Sequence, residues 1–207
     1  KNSFIFESVE KGKIRGRDTI ICLNPDKIWN INKNIITINT LGKKKKVKQN
    51  PLIFINNLIK KFDIKIPSHL PSMSSMLVGY FSYDIIRYIE KIPDKCIDDL
   101  KIPDVRLLRP KTIIIHDNLK KKIYFIINCF SDEKIYNYKD YYLKIIKNIT
   151  SLKKSAFTYS KKNIIKLKKI KSTRIKSNIT KDRYKKIVLK AKEYIKKGDI
   201  FQVVLSQ

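Results

Sequence analysis

The segment "KTIIIHDNLKKKIYFIINCF", residues 111–130, constrains the fold more than any other. Two β-branched and aromatic runs flank the polar Asp117-Asn118, and each run is too short for a helix of its own. That pattern specifies an antiparallel hairpin. Sheet therefore dominates the first half of the chain, with "SFIFES" and "DTIICL" as further strands. "NPDK" reads as a turn after the second of these. "KIWNI" and "NIITINT" form a strand pair around the polar "NKN", and the lysine run "GKKKKVKQN" reads as a solvated loop.

Helical spacing appears in three places. In "PLIFINNLIKKF" a proline opens the pattern, and Ile53, Phe54, Leu58 and Ile59 repeat on one face. "DEKIYNYKDYYLKIIKNIT" carries Tyr138, Tyr142, Ile145, Ile146 and Ile149 at helical intervals. In "TKDRYKKIVLKAKEYIKKGD", Thr180 is a cap, Tyr184, Ile187, Val188, Ala191 and Ile195 form a stripe, and Gly198 ends the helix. An apolar strand, "IFQVVLSQ", follows at once. The reading is α+β. It divides the chain into an N-terminal domain over 1–150, a basic linker over 151–177, and the opening of a second domain over 178–207.

Charge demands an explanation. The formal net charge is +29, which points toward a basic nucleic-acid-binding module. Two observations argue against it. The arginines, which recognition surfaces favour, are only Arg15, Arg17, Arg87, Arg106, Arg109, Arg174 and Arg183. Lysine, isoleucine and asparagine are inflated together, even within apolar segments, as a bias toward AT-rich codons would produce. The expectation is no specific nucleic-acid partner and no membrane span. Cys22, Cys96 and Cys129 are widely spaced in or beside apolar runs and read as small buried hydrophobes of a cytoplasmic protein. His69 and His116 are too far apart to suggest a metal site.

Three segments in order resemble component I of anthranilate synthase, a chorismate-using enzyme family. "FIFESVEKGKIRGRDTIICLNPD" is similar to the family's N-terminal LLESVEGG…GRYSxIGLxPD segment. "LVGYFSYDIIRYIEKIPD" resembles its LVGYFGYD segment, and "AKEYIKKGDIFQVVLSQ" resembles the helix and strand that open its chorismate-binding domain. The departures are Asp18 for Tyr, Cys22 for Gly, Ser75 and Met76 for a Gly-Gly pair, and Ser82 for Gly. Lost glycines matter where the backbone needs a positive φ. Aminodeoxychorismate synthase component I, a near relative, matches the first segment less well.

The resemblance implies the N-terminal part of an α/β/β/α sandwich with antiparallel sheets. It implies a large subunit that converts chorismate and ammonia to anthranilate and pyruvate in tryptophan biosynthesis. A glutamine amidotransferase partner would supply the ammonia, and L-tryptophan would inhibit. By the same resemblance Glu7 and Ser8 sit at the tryptophan site, with Arg15 and Arg17 as weaker candidates. Mg²⁺ is the implied cofactor, its ligands and most substrate contacts falling downstream of this sequence, so that these residues alone are expected to be inactive.

Tyr80, Phe81 and Tyr83 are expected in the core, with Asp84 capping the helix after them. Gln202 interrupts an apolar run: on a strand, Phe201, Val203 and Leu205 share one face, and Ile200, Gln202, Val204 and Ser206 the other. Related chorismate enzymes that add water carry a lysine general base at this position. A glutamine amide has no usable pKa for that role, and ammonia, with its own lone pair, needs no such base. Gln202 is therefore the candidate lining the chorismate site in an enzyme that adds ammonia.

Overall fold

Two long strands organise the sheet: β2 (Asp18–Asn32) and β6 (Val105–Asp117), antiparallel along most of their lengths. At one end β1 (Phe4–Phe6) pairs with β2, and β7 (Lys122–Ile127) pairs with β6. At the other end β3 (Ile35–Thr40) pairs with β2 and then with β4 (Lys43–Lys48), while β5 (Val78–Phe81) pairs with β6. Among the described residues the result is a seven-stranded sheet in which each of these pairings is antiparallel. This computed structural model describes residues 2–7, 16–62, 64–95, 97–158 and 177–206. The chain divides into two compact units, residues 1–159 and 160–207.

"NPDK" is not the turn its composition suggests. β2 runs straight through it, with a register shift between Pro25 and Lys27. Pro25 lies opposite Pro110 on β6, so neither residue of that rung can donate a ladder hydrogen bond. The extra residue is Asp26, and its buried side chain forks onto Arg109. The bulge thus converts a ladder gap into a side-chain ion pair.

Two apolar clusters lie along the long strands. One gathers Trp29, Ile31, Ile36, Val105 and Leu107 beneath α1 (Pro51–Lys61), which contributes Ile55, Phe54 and Leu58. Asn50 caps α1 by accepting from the N–H groups of Leu52 and Ile53 at 3.0 and 3.1 Å, and Pro51 stands at the first helical position, where no N–H is needed. The other cluster gathers Ile20, Cys22, Val78, Ile113 and Ile115. Burial pushes the Cys22 thiol up to about 11, in keeping with an inert packing role. Cys129 is exposed instead, and Cys96 lies outside the described residues.

The lysine run at 43–48 is a strand, not a loop. β4 is the outer edge of the sheet beyond β3. Backbone pairing is indifferent to side-chain polarity there, and lysines extend readily into water. An edge so charged also resists pairing with another chain.

α2 (Tyr138–Phe157) lies against β7. It is rotated from the expected stripe: Tyr141, Ile145, Ile149 and Leu152 are its half-buried residues, whereas Tyr138 and Tyr142 are 76% and 62% exposed. A polar anchor sets the rotation. Tyr141 Oη donates to Glu133 at 2.9 Å and accepts from Lys111 Nζ at 2.9 Å, and Lys111 also pairs with Glu133. The helix continues through Ser151 to Phe157, where the sequence reading began the basic linker; residues 159–176 of that linker lie outside the described residues.

In the second unit α3 (Lys181–Lys196) keeps the expected stripe, with Tyr184, Ile187 and Val188 half-buried and Ala191 buried, though Ile195 is 44% exposed. Thr180 caps it, accepting from Arg183 N–H at 3.4 Å. Gly198, at φ 78°, closes it: Gly198 N–H donates to Ile195 O at 3.1 Å and Asp199 N–H to Tyr194 O at 3.0 Å.

Candidate functional site

Glu7 follows directly on β1. The β1–β2 register, with Phe6 opposite Ile20, sets it beside the start of β2. There an open depression of about 450 Å³ is lined by Ile5, Phe6, Glu7, Gly16, Arg17, Asp18 and Met73. Ser8 and Arg15 lie outside the described residues. Glu7 is exposed.

Arg17 is held by the last residue of β6. Its Nε and Nη2 reach the Asp117 carboxylate at 3.0 and 2.5 Å, closing the far end of the β2–β6 pair. Asp117 also accepts from the N–H groups of Leu119 and Lys120 at 3.0 and 2.9 Å. The bond from Arg17 holds the Asp117 carboxyl well below the usual carboxylate range, outweighing the opposing effect of burial. Asp18 moves the other way, raised first by burial and then by the neighbouring Asp117 charge.

With Arg17 committed to Asp117, Glu7 and Asp18 are, among the described residues, the acidic groups on the wall of the depression, beside the apolar Ile5, Phe6 and Met73. Such a surface suits a small molecule with an ammonium group and an apolar body. Asp18 is the member the sequence reading missed, having counted it only as a departure. Its spacing from the "FES" segment carries no signal, because the strand pairing alone brings the two together.

Gln202 is not on a strand. Residues 200–206 form no strand pairing among the described residues, and Gln202 is exposed. Phe201 and Val204, one on each face of the expected strand, are 98% and 80% exposed. An isolated apolar segment cannot hold strand geometry without a ladder partner. The segment turns back on α3 instead, where Tyr184 Oη donates to Leu205 O at 3.4 Å.

The "VGYFSYD" motif also differs from expectation. Tyr80, Phe81 and Tyr83 are 37%, 52% and 86% exposed rather than core. Only Val78, opposite Leu108, is fully buried there. Asp84 is no cap: Ser82 opens the 3-10 helix Tyr83–Tyr88, and Asp84 Oδ1 accepts from Arg87 Nε at 2.8 Å. The lost glycines cost no backbone freedom here. Ser75 has φ −140° and Ser82 φ −73°, both ordinary for any residue, and neither Cys22 nor Met76 has a positive φ. What the serines do introduce is two buried hydroxyls with no hydrogen-bond partner among the described residues.

Among the described residues, no group of His, Cys, Asp or Glu is arranged to hold a metal ion, and no helix is long and apolar enough to cross a membrane.

Comparison with known proteins adds an independent line. Residues 1–207 match the family described as chorismate binding enzyme. The chain is 33% identical to anthranilate synthase component 1 of Acetivibrio thermocellus over 217 residues, covering 99% of this chain and 42% of that protein. It is 34% identical to the Aquifex aeolicus protein of the same name, covering 99% of this chain and 41% of the relative. The crystal structure of anthranilate synthase component I from Streptococcus pneumoniae superimposes with a TM-score of 0.69 at 19% identity, over 94% of this chain and 42% of that one. The chain thus spans about two-fifths of the length of the relatives it matches.

Proposed function

The chain belongs to the chorismate binding enzyme family, and from that premise we propose that it is part of the large subunit of an anthranilate synthase. The complete subunit would take chorismate and ammonia to anthranilate and pyruvate, with a glutamine amidotransferase partner supplying the ammonia. The observation that carries this reading is likeness to anthranilate synthase component 1 proteins along essentially the whole chain, at 33% identity in one relative.

Ammonia attacks through its own lone pair, so amination at C2, with loss of the C4 hydroxyl, calls for no side chain to deprotonate the nucleophile. Gln202, unable to act as a base, suits that chemistry and would line the substrate site once its segment gains a strand partner. Pyruvate elimination then yields the aromatic ring. Mg²⁺ would supply charge neutralisation at the substrate carboxylate. The described residues hold no suitable ligand group, and no step assigned to them runs through a metal.

The depression beside β1 would be the regulatory site. Glu7 would pair with the ammonium of tryptophan, Ile5, Phe6 and Met73 would meet the indole, and Ser8 would complete the polar contacts. The test is direct. The full-length protein, given chorismate and ammonium, should release fluorescent anthranilate, and L-tryptophan should suppress it. Glu7→Ala and Ser8→Ala should each raise the tryptophan concentration for half-inhibition about tenfold, the loss of one charge-assisted bond. Accumulation of aminodeoxychorismate in place of anthranilate would overturn the reaction; unaltered inhibition in both variants would overturn the site.

A further inference from the structure

A groove beside α1 carries recognition chemistry that neither the proposed reaction nor the tryptophan site uses. Arg109 lines it, buried in the sheet and fixed on three sides. One edge of its guanidinium forks onto the buried Asp26 of the β2 bulge. Its face stacks on the Phe130 ring at 3.8 Å. Its other edge meets the Asp132 carboxylate, Nη1 at 3.2 Å and Nη2 at 2.9 Å. Lys27 Nζ reaches the same carboxylate at 2.5 Å.

The two aspartates are not equivalent. Asp26 lies within a paired strand and is buried. Asp132 belongs to the connection between β7 and α2, outside regular structure, and its side chain is 44% exposed. Two cations therefore converge on a carboxylate whose backbone is not held by a sheet or helix. Its carboxyl is lowered to about 2: burial opposes ionisation, and the bonds from Arg109 and Lys27 outweigh it. The groove that Asp132 and Arg109 line has a volume of about 870 Å³, within the usual range for small-molecule sites. Trp29, Phe54, Leu58, Phe62 and Phe130 line it, with the Phe62 and Phe130 rings 6.1 Å apart.

We propose that this groove binds a small amphipathic carboxylate, and that Asp132 occupies the anion position when no ligand is present. The ligand carboxylate would replace that of Asp132 on the free edge of Arg109 and on Lys27. Its apolar tail would lie along the aromatic wall. Arg109 is well suited to this exchange because Asp26 and Phe130 hold its plane fixed whether or not Asp132 is engaged, so little ordering is required on binding. With Asp132 displaced, Lys27, Lys61 and Arg109 would remain in the lining, and Asp26, held on the opposite edge of Arg109, would offset only one of these three cations, which selects an anion over a neutral molecule of the same shape.

Octanoate is a suitable probe because it is optically silent, and Trp29 is the single tryptophan of the chain. Titration of the chain should give a saturable change in Trp29 fluorescence, with 1-octanol at least about tenfold weaker because it cannot pair with Arg109 and Lys27. Asp132→Asn should tighten octanoate about tenfold by removing the internal competitor, and Lys27→Gln should weaken it by a similar factor. Equal binding of octanoate and octanol, no saturable response, or an Asp132→Asn affinity matching wild type would each overturn the proposal. The octanoate–octanol contrast needs no variant, so it stands even if a substitution disturbs folding. None of these readouts depends on chorismate chemistry, so failure here and failure of the proposed function are separable.

Discussion

Gly79 offers the sharpest test of the packing. It sits in β5 opposite Leu107, and a Cβ added there would lie 1.8 Å from the Arg106 carbonyl oxygen, 2.8 Å from its carbon and 3.0 Å from Leu107 Cα. All three obstacles are backbone atoms of β6, so no rotamer change can relieve them. Relaxed contacts between carbon and a carbonyl oxygen lie near 3.3–3.6 Å, so β5 would have to retreat by about 1.5 Å. That is enough to break ladder hydrogen bonds, and it draws Val78 away from Ile113 and Ile115 in the second cluster. Overpacking alone costs about 1–3 kcal/mol, and losing the β5 pairing adds to it. Gly79→Ala should therefore cost about 3 kcal/mol or more. With a urea m-value of about 1–3 kcal/mol/M, the midpoint followed by Trp29 fluorescence should fall by at least about 1 M. Gly42→Ala is the companion. Gly42 has φ 92° but nothing within 4 Å of an added Cβ, so its penalty is backbone strain alone, about 1–2 kcal/mol. A Gly79→Ala midpoint equal to wild type, or a loss smaller than that of Gly42→Ala, would refute the close approach of β5 to β6.

Three further outcomes are expected. Ser82→Ala, which removes a buried hydroxyl without a partner among the described residues, should leave stability unchanged or raise it by about 1 kcal/mol, seen in calorimetry as a Tm up to about 4 °C higher. Asp132 has a folded-state carboxyl lowered to about 2 from 3.8, so its contribution is present above about pH 4 and lost as pH falls toward 2; Asp132→Asn should flatten that part of the acid-unfolding curve, and an unchanged curve would show that the ion pairs contribute nothing. Gln202→Lys in the full-length enzyme should depress ammonia-dependent anthranilate formation, measured as kcat/KM; retention of full activity would remove Gln202 from the substrate site.

Local pattern was a good guide wherever a residue's neighbours in sequence decided its environment. The 111–130 hairpin, the Asn32–Asn34 turn region, Pro51 at the start of α1 and the Gly198 terminus all depend on a few adjacent residues. It failed where a distant partner decided. The lysines of β4 lack any apolar alternation, and they form a strand because β3 offers an open edge. "NPDK" contains turn residues, yet Pro110 opposite Pro25 and Arg109 beside Asp26 turn it into a bulge. Tyr142 falls in the expected stripe of α2 and Tyr141 does not, yet Lys111 and Glu133 anchor Tyr141 and leave Tyr142 exposed. The site followed the same rule. Glu7 is reached through the family motif, but Arg17 is committed by Asp117, 100 residues away, and Asp18 meets Glu7 only through the β1–β2 pairing.

The pairing of β2 with β6 also sets how the molecule must assemble. β2, β3 and β4 form a local meander, and β6 with β7 a local hairpin, each able to form from neighbouring residues. Joining them closes a loop spanning the 83 residues between Asp26 and Arg109, a slow step because chain entropy is lost before the contacts that reward it exist. During synthesis from the N-terminus, β2 must wait with one edge unpaired until β6 has emerged. The opposite edge of the waiting meander is β4, whose exposed lysines repel other chains. The lysine strand thus acts before the fold is finished, as protection for a half-built sheet during its most aggregation-prone interval.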